Sequence, residues 1–481
     1  MITSISARRL PAAVALLPEV VADATEARDR SGRLSLRTAL GAATAGLLAS
    51  GQGIAQDADS ALPTTNIDTG VLYYHENNGR VQAIEPQLNI AQKVGEDGTL
   101  SLGVSADSLT GATPLGSVPS SLPQTYVRPY KIVPLGTAVT TTTASGGSTV
   151  VIVPPATGAK SQTLAASTVV PANTYPLDSS FRDTRYAGNI GWEQALTSNF
   201  KVNGGLAYSK EHDWRSESAT LGVAQDFNAH NTTLTAGVNY ESDLSFPIGG
   251  TPTPLTAMNG NWKGPDATRD EWDAVVGLTQ VMSRRWLSSL SYSYAQSHGY
   301  ENDPYKLISV VDAVSGQPTA QLYESRPDSR RKQSIFLDNK VHLSQDVVDL
   351  SLRGYKDDWG IKSFTGDLRY RYQLGPDYYL EPHARFYKQG AADFFHYYLV
   401  ADQPLPEYAS ADTRLAKFHG LTYGLKFGLP LNERSEFNVR VEYYNQHGNG
   451  SPANAIGQLR QQNLFPDLTA ITVLFGYSYA F

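Results

Sequence analysis

The sequence contains no cysteine among its 481 residues. The chain can therefore form neither a disulfide framework nor a cysteine metal site, and it cannot be acylated as a lipoprotein. It also lacks any run of about 20 apolar residues, which excludes a helical membrane protein. The net charge is −7, so no basic surplus is present and nucleic acid is excluded as a partner.

Familiar catalytic motifs are missing as well. The chain has no HExxH, GxSxG, P-loop or CxxC pattern, and its nine histidines are scattered. His212 lies between Glu211 and Asp213, but adjacent residues of a strand point to opposite faces, so these three do not readily converge. We therefore predict no enzyme activity, no metal site and no cofactor.

Aromatic residues, in contrast, are abundant and regularly placed. The chain has 27 tyrosines and 15 phenylalanines, and it ends in ITVLFGYSYAF. In this stretch Ile471, Phe475 and Phe481 share one face with the other large side chains, while small, mostly polar residues occupy the other face. This pattern is typical of a barrel strand with one side in lipid.

Similar alternating segments of about ten residues recur along the chain. They predict strands at 68–77, 80–93, 99–109, 183–195, 199–210, 216–227, 232–244, 271–282, 286–298, 332–343, 347–357, 361–374, 378–390, 413–428, 435–446 and 467–481. We predict an all-β fold, a transmembrane antiparallel up-and-down β-barrel of about 16 strands over residues 68–481, because bacterial barrels have even strand numbers.

The segment before the barrel resembles a leader. A short apolar run at 39–49 follows Arg33 and Arg37, and small residues precede a break, which predicts a secretory signal within 1–55 and cleavage after Ala55. The preceding region is unusually long, so either the true start lies further downstream or the leader is extended. Residues 56–67 would form a short periplasmic segment.

The connections alternate in length, with short turns such as 197–199 opposed to long loops. This asymmetry predicts that both termini are periplasmic and that the protein resides in the bacterial outer membrane, in contact with its lipid. The closing strand would carry the signal for the barrel-assembly machinery at Tyr477, Tyr479 and Phe481. The Thr/Ser/Gly/Pro-rich connection 110–182 is either functional or disordered, and it either extends outward or enters the lumen.

Several motifs carry a resemblance to a known family. They include KEHDWRSES at 210–218, HGYENDPYK at 298–306, RPDSRRK at 326–332 and YKDDWGIKSFTGDLRYRY at 355–372. Because of the order and spacing of these motifs, the chain resembles the uncharacterised bacterial outer-membrane family catalogued as domain of unknown function three-five-seven-zero. The resemblance implies an outer-membrane barrel and a periplasmic redox or metal-handling partner, but neither a substrate nor catalytic residues.

Most of these motifs fall at strand ends, where charged residues are predicted to form an extracellular collar. Such a collar could bind a cation or an anion, or it could be a salt-bridge network that fixes loops over the barrel mouth. The candidates are Asp107, Asp213, Asp303, Arg326, Asp328, Asp357, Asp358, Asp393, Asp412 and Arg414.

A second group of charged residues has the register of the barrel lumen. It would either give a pore its selectivity or plug the barrel. The candidates are Arg353, Asp367, Arg369, Arg371, Glu381, His383, Arg385, Arg440 and Glu442. We predict a porin-like channel for small hydrophilic solutes or ions. The alternatives are a plugged barrel that acts as a receptor or docking sleeve, and an outer-membrane hydrolase.

Overall fold

The structure is a computed structural model that describes residues 64–132, 138–142, 148–152, 162–258, 264–375 and 378–481. The predicted leader 1–55 and most of the segment 56–67 lie outside the described residues.

The regular secondary structure of the described residues is mostly antiparallel β-strand. In chain order the strands are β1 (Thr65–Glu76), β2 (Gln82–Val94), β3 (Gly98–Pro114), β4 (Gln124–Ile132), β5 (Ala138–Thr142), β6 (Ser148–Ile152), β7 (Gln162–Val170), β8 (Leu177–Thr197), β9 (Phe200–Lys210), β10 (Trp214–Phe227), β11 (Thr232–Ser245), β12 (Ala267–Ser283), β13 (Trp286–Gly299), β14 (Leu307–Val311), β15 (Pro318–Tyr323), β16 (Ser329–His342), β17 (Val347–Asp357), β18 (Lys362–Gln373), β19 (Tyr379–Gln389), β20 (Leu399–Val400), β21 (Phe418–Asn432), β22 (Ser435–Gly448) and β23 (Leu468–Ala480). Short 3-10 helices span Thr413–Leu415 and Gly457–Gln461. Within the described residues, no helix has the length and apolar character needed to cross a membrane.

Sixteen of these strands form one closed barrel. Their order is β1-β2-β3-β8-β9-β10-β11-β12-β13-β16-β17-β18-β19-β21-β22-β23, and β23 pairs with β1 to close it, with Val71 opposite Phe475. The predicted all-β antiparallel barrel of 16 strands is therefore confirmed. The location of the termini in the periplasm stays a prediction.

The predicted strands overlap the observed barrel strands, with two informative differences at their ends. The strand predicted at 413–428 begins only at Phe418, because Asp412 caps the 3-10 helix at Thr413–Leu415 and accepts a hydrogen bond from the Arg414 backbone N–H. The strand predicted at 183–195 begins at Leu177, because β3 and β8 extend their ladder beyond the neighbouring strands.

The two faces of the barrel wall differ sharply in chemistry. On β23, Ile471 and Phe475 are 46% and 47% exposed on the outer face, whereas Thr472 and Leu474 are buried on the inner one. Large apolar side chains cover the outer face of the other strands as well, and the inner face carries many buried polar and charged residues. This distribution is the reverse of a water-soluble fold and fits a wall between lipid and a polar lumen.

The two ends of the barrel differ in the length of their connections. Turns at 95–97, 198–199, 284–285 and 433–434 join strands at one end, which we call the short-turn end. The connections 300–328, 390–417 and 449–467 and the described residues of the connection 115–176 lie at the other end, which we call the long-loop end.

The long loops pack on one another and form a loop cap, defined as residues 115–126, 300–328, 390–417 and 449–467. Strands β15, β14 and β20 build a three-stranded sheet within it, which joins two of these loops. Val311 is fully buried against Val118 and Leu459, so three separate connections share one small core. Within this cap, Tyr126 of the 110–182 connection also packs against Leu307 and Tyr323.

Candidate functional site

Alternation along the inner wall brings the predicted lumen residues of β18, β19 and β22 together. The His383 ring lies between two carboxylates, with Nδ1 3.0 Å from Glu442 Oε1 and Nε2 2.8 Å from Asp367 Oδ2. All three side chains are at least nine-tenths buried. An imidazolium can donate from both ring nitrogens, so the geometry favours a charged His383 that links the two acids.

Arginines complete this group on the same wall. Arg440 donates to Glu381 at 3.2 Å and to Glu442 at 3.4 Å. Arg369 lies 3.2 Å from Asp367, and Arg385 lies 3.9 Å from the same carboxylate. Because β19 and β22 are separated by β21, the contact between Arg440 and Glu381 spans strands that are not neighbours in the sheet.

The other two predicted lumen arginines have different surroundings. Arg371 stacks over the Tyr379 ring at 3.5 Å and lies 4.0 Å from Glu436. Arg353 lies over the Phe336 ring at 5.8 Å. We call the side chains of β18 to β22 in this region the base-rich cluster; its members are Asp367, Arg369, Arg371, Tyr379, Glu381, His383, Arg385, Lys426, Glu436, Arg440 and Glu442.

Three members of the base-rich cluster were not predicted. Tyr379 and Lys426 are 0% and 1% exposed, and Tyr379 donates a hydrogen bond to Glu436 at 2.7 Å. The strand register could have identified them, because they face inward opposite predicted lumen residues. Lys426, for example, pairs with Arg440 and with Glu381 across the sheet.

A second inner-wall group lies on β11, β12 and β16, with one acid from the connection that follows β13. It is nearer the long-loop end, and none of its members was predicted as a site residue. We call it the acid-rich cluster; it contains the acids Glu241, Asp243, Glu271, Asp273 and Glu301 and the bases Arg269 and Lys332. Arg269 donates from Nε to Asp243 at 3.0 Å, and Lys332 lies 2.5 Å from Glu271. The signal in the sequence was the spacing of two acids two residues apart on each of two successive strands, which places all four on one face.

The predicted rim residues divide into a buried network and separate pairs. In the loop cap, Arg326 Nη2 contacts Asp412 at 2.9 Å and Arg414 Nη2 contacts Asp303 at 3.0 Å. Arg326 also pairs with Glu324 at 2.8 Å, a partner that was not predicted. These contacts tie the 300–328 loop to the 390–417 loop.

Electrostatics in the cap depend on this pairing. Burial by itself would raise the pKa of the Asp412 carboxyl, but Arg414, Lys306 and Arg326 together hold that pKa well below its usual value. For Glu324 the balance is reversed, because burial raises the pKa of its carboxyl despite the nearby Arg326.

The remaining rim candidates lie in smaller groups around the mouth. Asp107 pairs with Arg185, Asp357 with Arg330 at 2.6 Å, and Asp358 with Arg331 at 2.8 Å. Asp328 and Asp393 are exposed.

Asp213 is buried and lies beside two other acids. Carboxylate oxygens of Asp183, Glu211 and Asp213 lie within 4.8 Å of one another. Asp183, from β8, was not among the predicted site residues. His212 contributes only its backbone N–H, which donates to Asp183 at 3.2 Å.

Comparison with known proteins assigns the chain to a family. The model of the family described as "Protein of unknown function (DUF3570)" matches residues 37–479. The chain belongs to this family. The resemblance seen in the motifs is thereby confirmed, and no curated protein matches the chain.

Solved structures similar to this family member are barrels of several kinds. A bacterial polysaccharide outer membrane secretin is 7% identical, with a TM-score of 0.41, and the match covers 88% of this chain and all of the other. The CymD monoaromatic hydrocarbon channel is 10% identical, with a TM-score of 0.36 and 88% and 89% covered. The ferric enterobactin receptor PfeA is 8% identical, with a TM-score of 0.39; 83% of this chain matches 58% of the receptor. At these values the similarities support no conclusion about function.

Chemically, the inner wall of this family member presents two groups of ionisable side chains at different depths. The acid-rich cluster has more acids than bases, and the base-rich cluster has more bases than acids. Groups of this kind attract, orient or exclude charged solutes. The prediction that the chain is not an enzyme stays a prediction.

Proposed function

We propose that the protein is an outer-membrane β-barrel channel that passes small hydrophilic solutes or ions. The observation that carries this proposal is the chemistry of the wall, which is apolar outside and densely charged inside. Transfer of an ion into a dry interior costs several kcal/mol even after relaxation. A chain that needed only a filled barrel would avoid that cost with apolar or neutral side chains.

The strand number supports the same proposal. Barrels of 16 to 18 strands generally enclose an aqueous channel, whereas barrels of about 8 strands are filled by their own side chains. The barrel here has 16 strands. The two clusters on the wall of such a lumen would then select among solutes by charge.

A second candidate function is a plugged barrel that acts as a receptor or docking sleeve for an envelope redox or metal-handling system. The loop cap is the observation that favours it. Ile308, Val311 and Ala409 are each 0% exposed, so the cap has its own packed interior at the long-loop end. A cap of this kind would close the mouth unless the loops move.

Solute flux distinguishes the two candidates. Proteoliposomes containing the purified, folded protein are diluted into isotonic solutions of sugars, amino acids or salts, and their swelling is followed by light scattering. A channel predicts swelling that becomes slower as solute size increases. Swelling no faster than in protein-free liposomes, for every solute, would reject the channel and favour the plugged barrel.

A further inference from the structure

The acid-rich cluster contains more negative charge than its own bases can balance. The cluster has five carboxylates, from Glu241, Asp243, Glu271, Asp273 and Glu301, and two basic groups, from Arg269 and Lys332. All of the acids except Asp273 form ion pairs with these bases. If all ionise, three negative charges are unbalanced within this group. The five acids are between 0% and 6% exposed, so bulk water solvates them poorly.

Strand register aggravates this imbalance. Glu241 on β11 lies directly opposite Glu271 on β12, with both side chains on the inner face. Like charges directly opposite in a sheet destabilise it. Of the next inward-facing pairs, Asp243 with Arg269 joins opposite charges and is favourable. Asn239 with Asp273 joins a neutral side chain to an acid and balances no charge.

Several carboxylate oxygens of the cluster accept no hydrogen bond from the described part of the chain. Both carboxylate oxygens of Glu241 lack a hydrogen-bond partner among the described residues, and so does Oδ1 of Asp243 and of Asp273. Glu241 is 1% exposed, and its nearest ionic contact is Arg269 Nη2 at 3.6 Å. A buried carboxylate without donors is costly, unless a cation lies beside it.

We propose that the acid-rich cluster is a cation-binding site of the inner wall, with Glu241 and Asp243 as its principal ligands. The ligand class is a hard divalent cation such as Ca²⁺. Every unused acceptor atom of the cluster is a carboxylate oxygen, and the unbalanced negative charge exceeds one. Binding cancels the repulsion between Glu241 and Glu271 and supplies the missing partner for Glu241. It requires no conduction, so the site is independent of the channel proposal.

Calcium titration of the full-length protein in detergent tests the site. Isothermal titration calorimetry is performed on the wild type and on Glu241→Gln and Asp243→Asn, each confirmed as a folded barrel by circular dichroism and by heat-dependent gel mobility. We expect each substitution to weaken Ca²⁺ binding on the order of ten-fold or more, since each removes a ligand charge. Glu217→Gln is the matched control, because Glu217 lies on the exposed face of the neighbouring strand β10; it should bind Ca²⁺ like the wild type.

Two outcomes would overturn the proposal. The first is a folded wild-type protein that does not bind Ca²⁺. The second is loss of binding in Asp213→Asn but not in Glu241→Gln, which would locate the ion at the mouth, beside Asp183 and Glu211. Calcium binding without solute flux would reject the channel and retain the cation site, so the two proposals fail separately.

Discussion

The position of the Tyr379 side chain in the base-rich cluster depends on one glycine. Tyr379 is 0% exposed, donates a hydrogen bond to Glu436 and supports Arg371 on its ring. Gly428 lies directly opposite Tyr379, and a Cβ added there would overlap the tyrosine ring. An aromatic side chain laid over a strand glycine is a recurrent way to fix both residues in barrels.

Gly428→Ala should therefore destabilise the barrel. The Tyr379 ring must move, so the contacts with Glu436 and Arg371 weaken, and overpacking of this kind costs about 1–3 kcal/mol. Urea unfolding in detergent micelles measures the change. Gly354→Ala is the matched control, because no atom lies within 4 Å of a Cβ at that position. Equal unfolding midpoints for the two variants would contradict the role given to Gly428.

Among the elements, the loop cap is fixed by ion pairs that are sensitive to acid. Asp412 has a lowered pKa in the folded protein, held down by Arg414, Lys306 and Arg326. A carboxyl with a lowered folded pKa stabilises the folded form above its unfolded pKa, about 3.9 for aspartate, and loses that contribution as pH falls toward the folded pKa. The cap should therefore loosen below about pH 4.

Asp412→Asn removes this contribution at neutral pH. Amides of β14 and β20 should exchange hydrogen faster in the variant at pH 7, and the difference from the wild type should shrink as pH falls below about 4. Hydrogen exchange followed by mass spectrometry, corrected for intrinsic exchange rates, measures this difference at pH 7 and at acidic pH. Asp402→Asn is the control from the same loop, since Asp402 is exposed. If both variants exchange like the wild type at pH 7, Asp412 does not hold the cap closed.

The strands could be predicted from the sequence, but the cap could not. A barrel strand has one face in lipid and one in the lumen, so alternation along each strand reports its position, as in β23. The cap depends on contacts such as Val118 with Val311 and Leu459, which join distant parts of the chain without any local period. The 3-10 helix after Asp412 likewise delays to Phe418 a strand that the pattern predicted to begin at residue 413.

The candidate site was partly predictable for the same reason. The inward register of β18, β19 and β22 could be read locally, which identified His383 and its carboxylate partners. Lys426 and Glu436 were missed because their significance depends on Tyr379, which reaches them from another strand. The acid-rich cluster was missed because it requires the register between β11 and β12.

For the molecule as a channel, the bases of the inner wall should control ion selectivity. Arg369, Arg371 and Arg385 have side-chain exposures of 15%, 14% and 18% and lie on the inner face. Replacing all three by glutamine removes three positive charges from the lumen, so the reversal potential in a KCl gradient should shift toward cation selectivity. Arg331→Gln is the control, because Arg331 is 60% exposed at the rim and solvent screens it. An unchanged reversal potential in the triple variant would remove these arginines from selectivity.

The most direct test is electrical recording from single molecules in planar lipid bilayers. The purified, folded full-length protein is added to one side, and the current is recorded at fixed voltage in KCl. The charged lumen of a 16-stranded barrel predicts stepwise increases in current of uniform size. Flat traces from protein shown to have inserted in the bilayer would contradict the channel and leave the barrel as a closed receptor or sleeve.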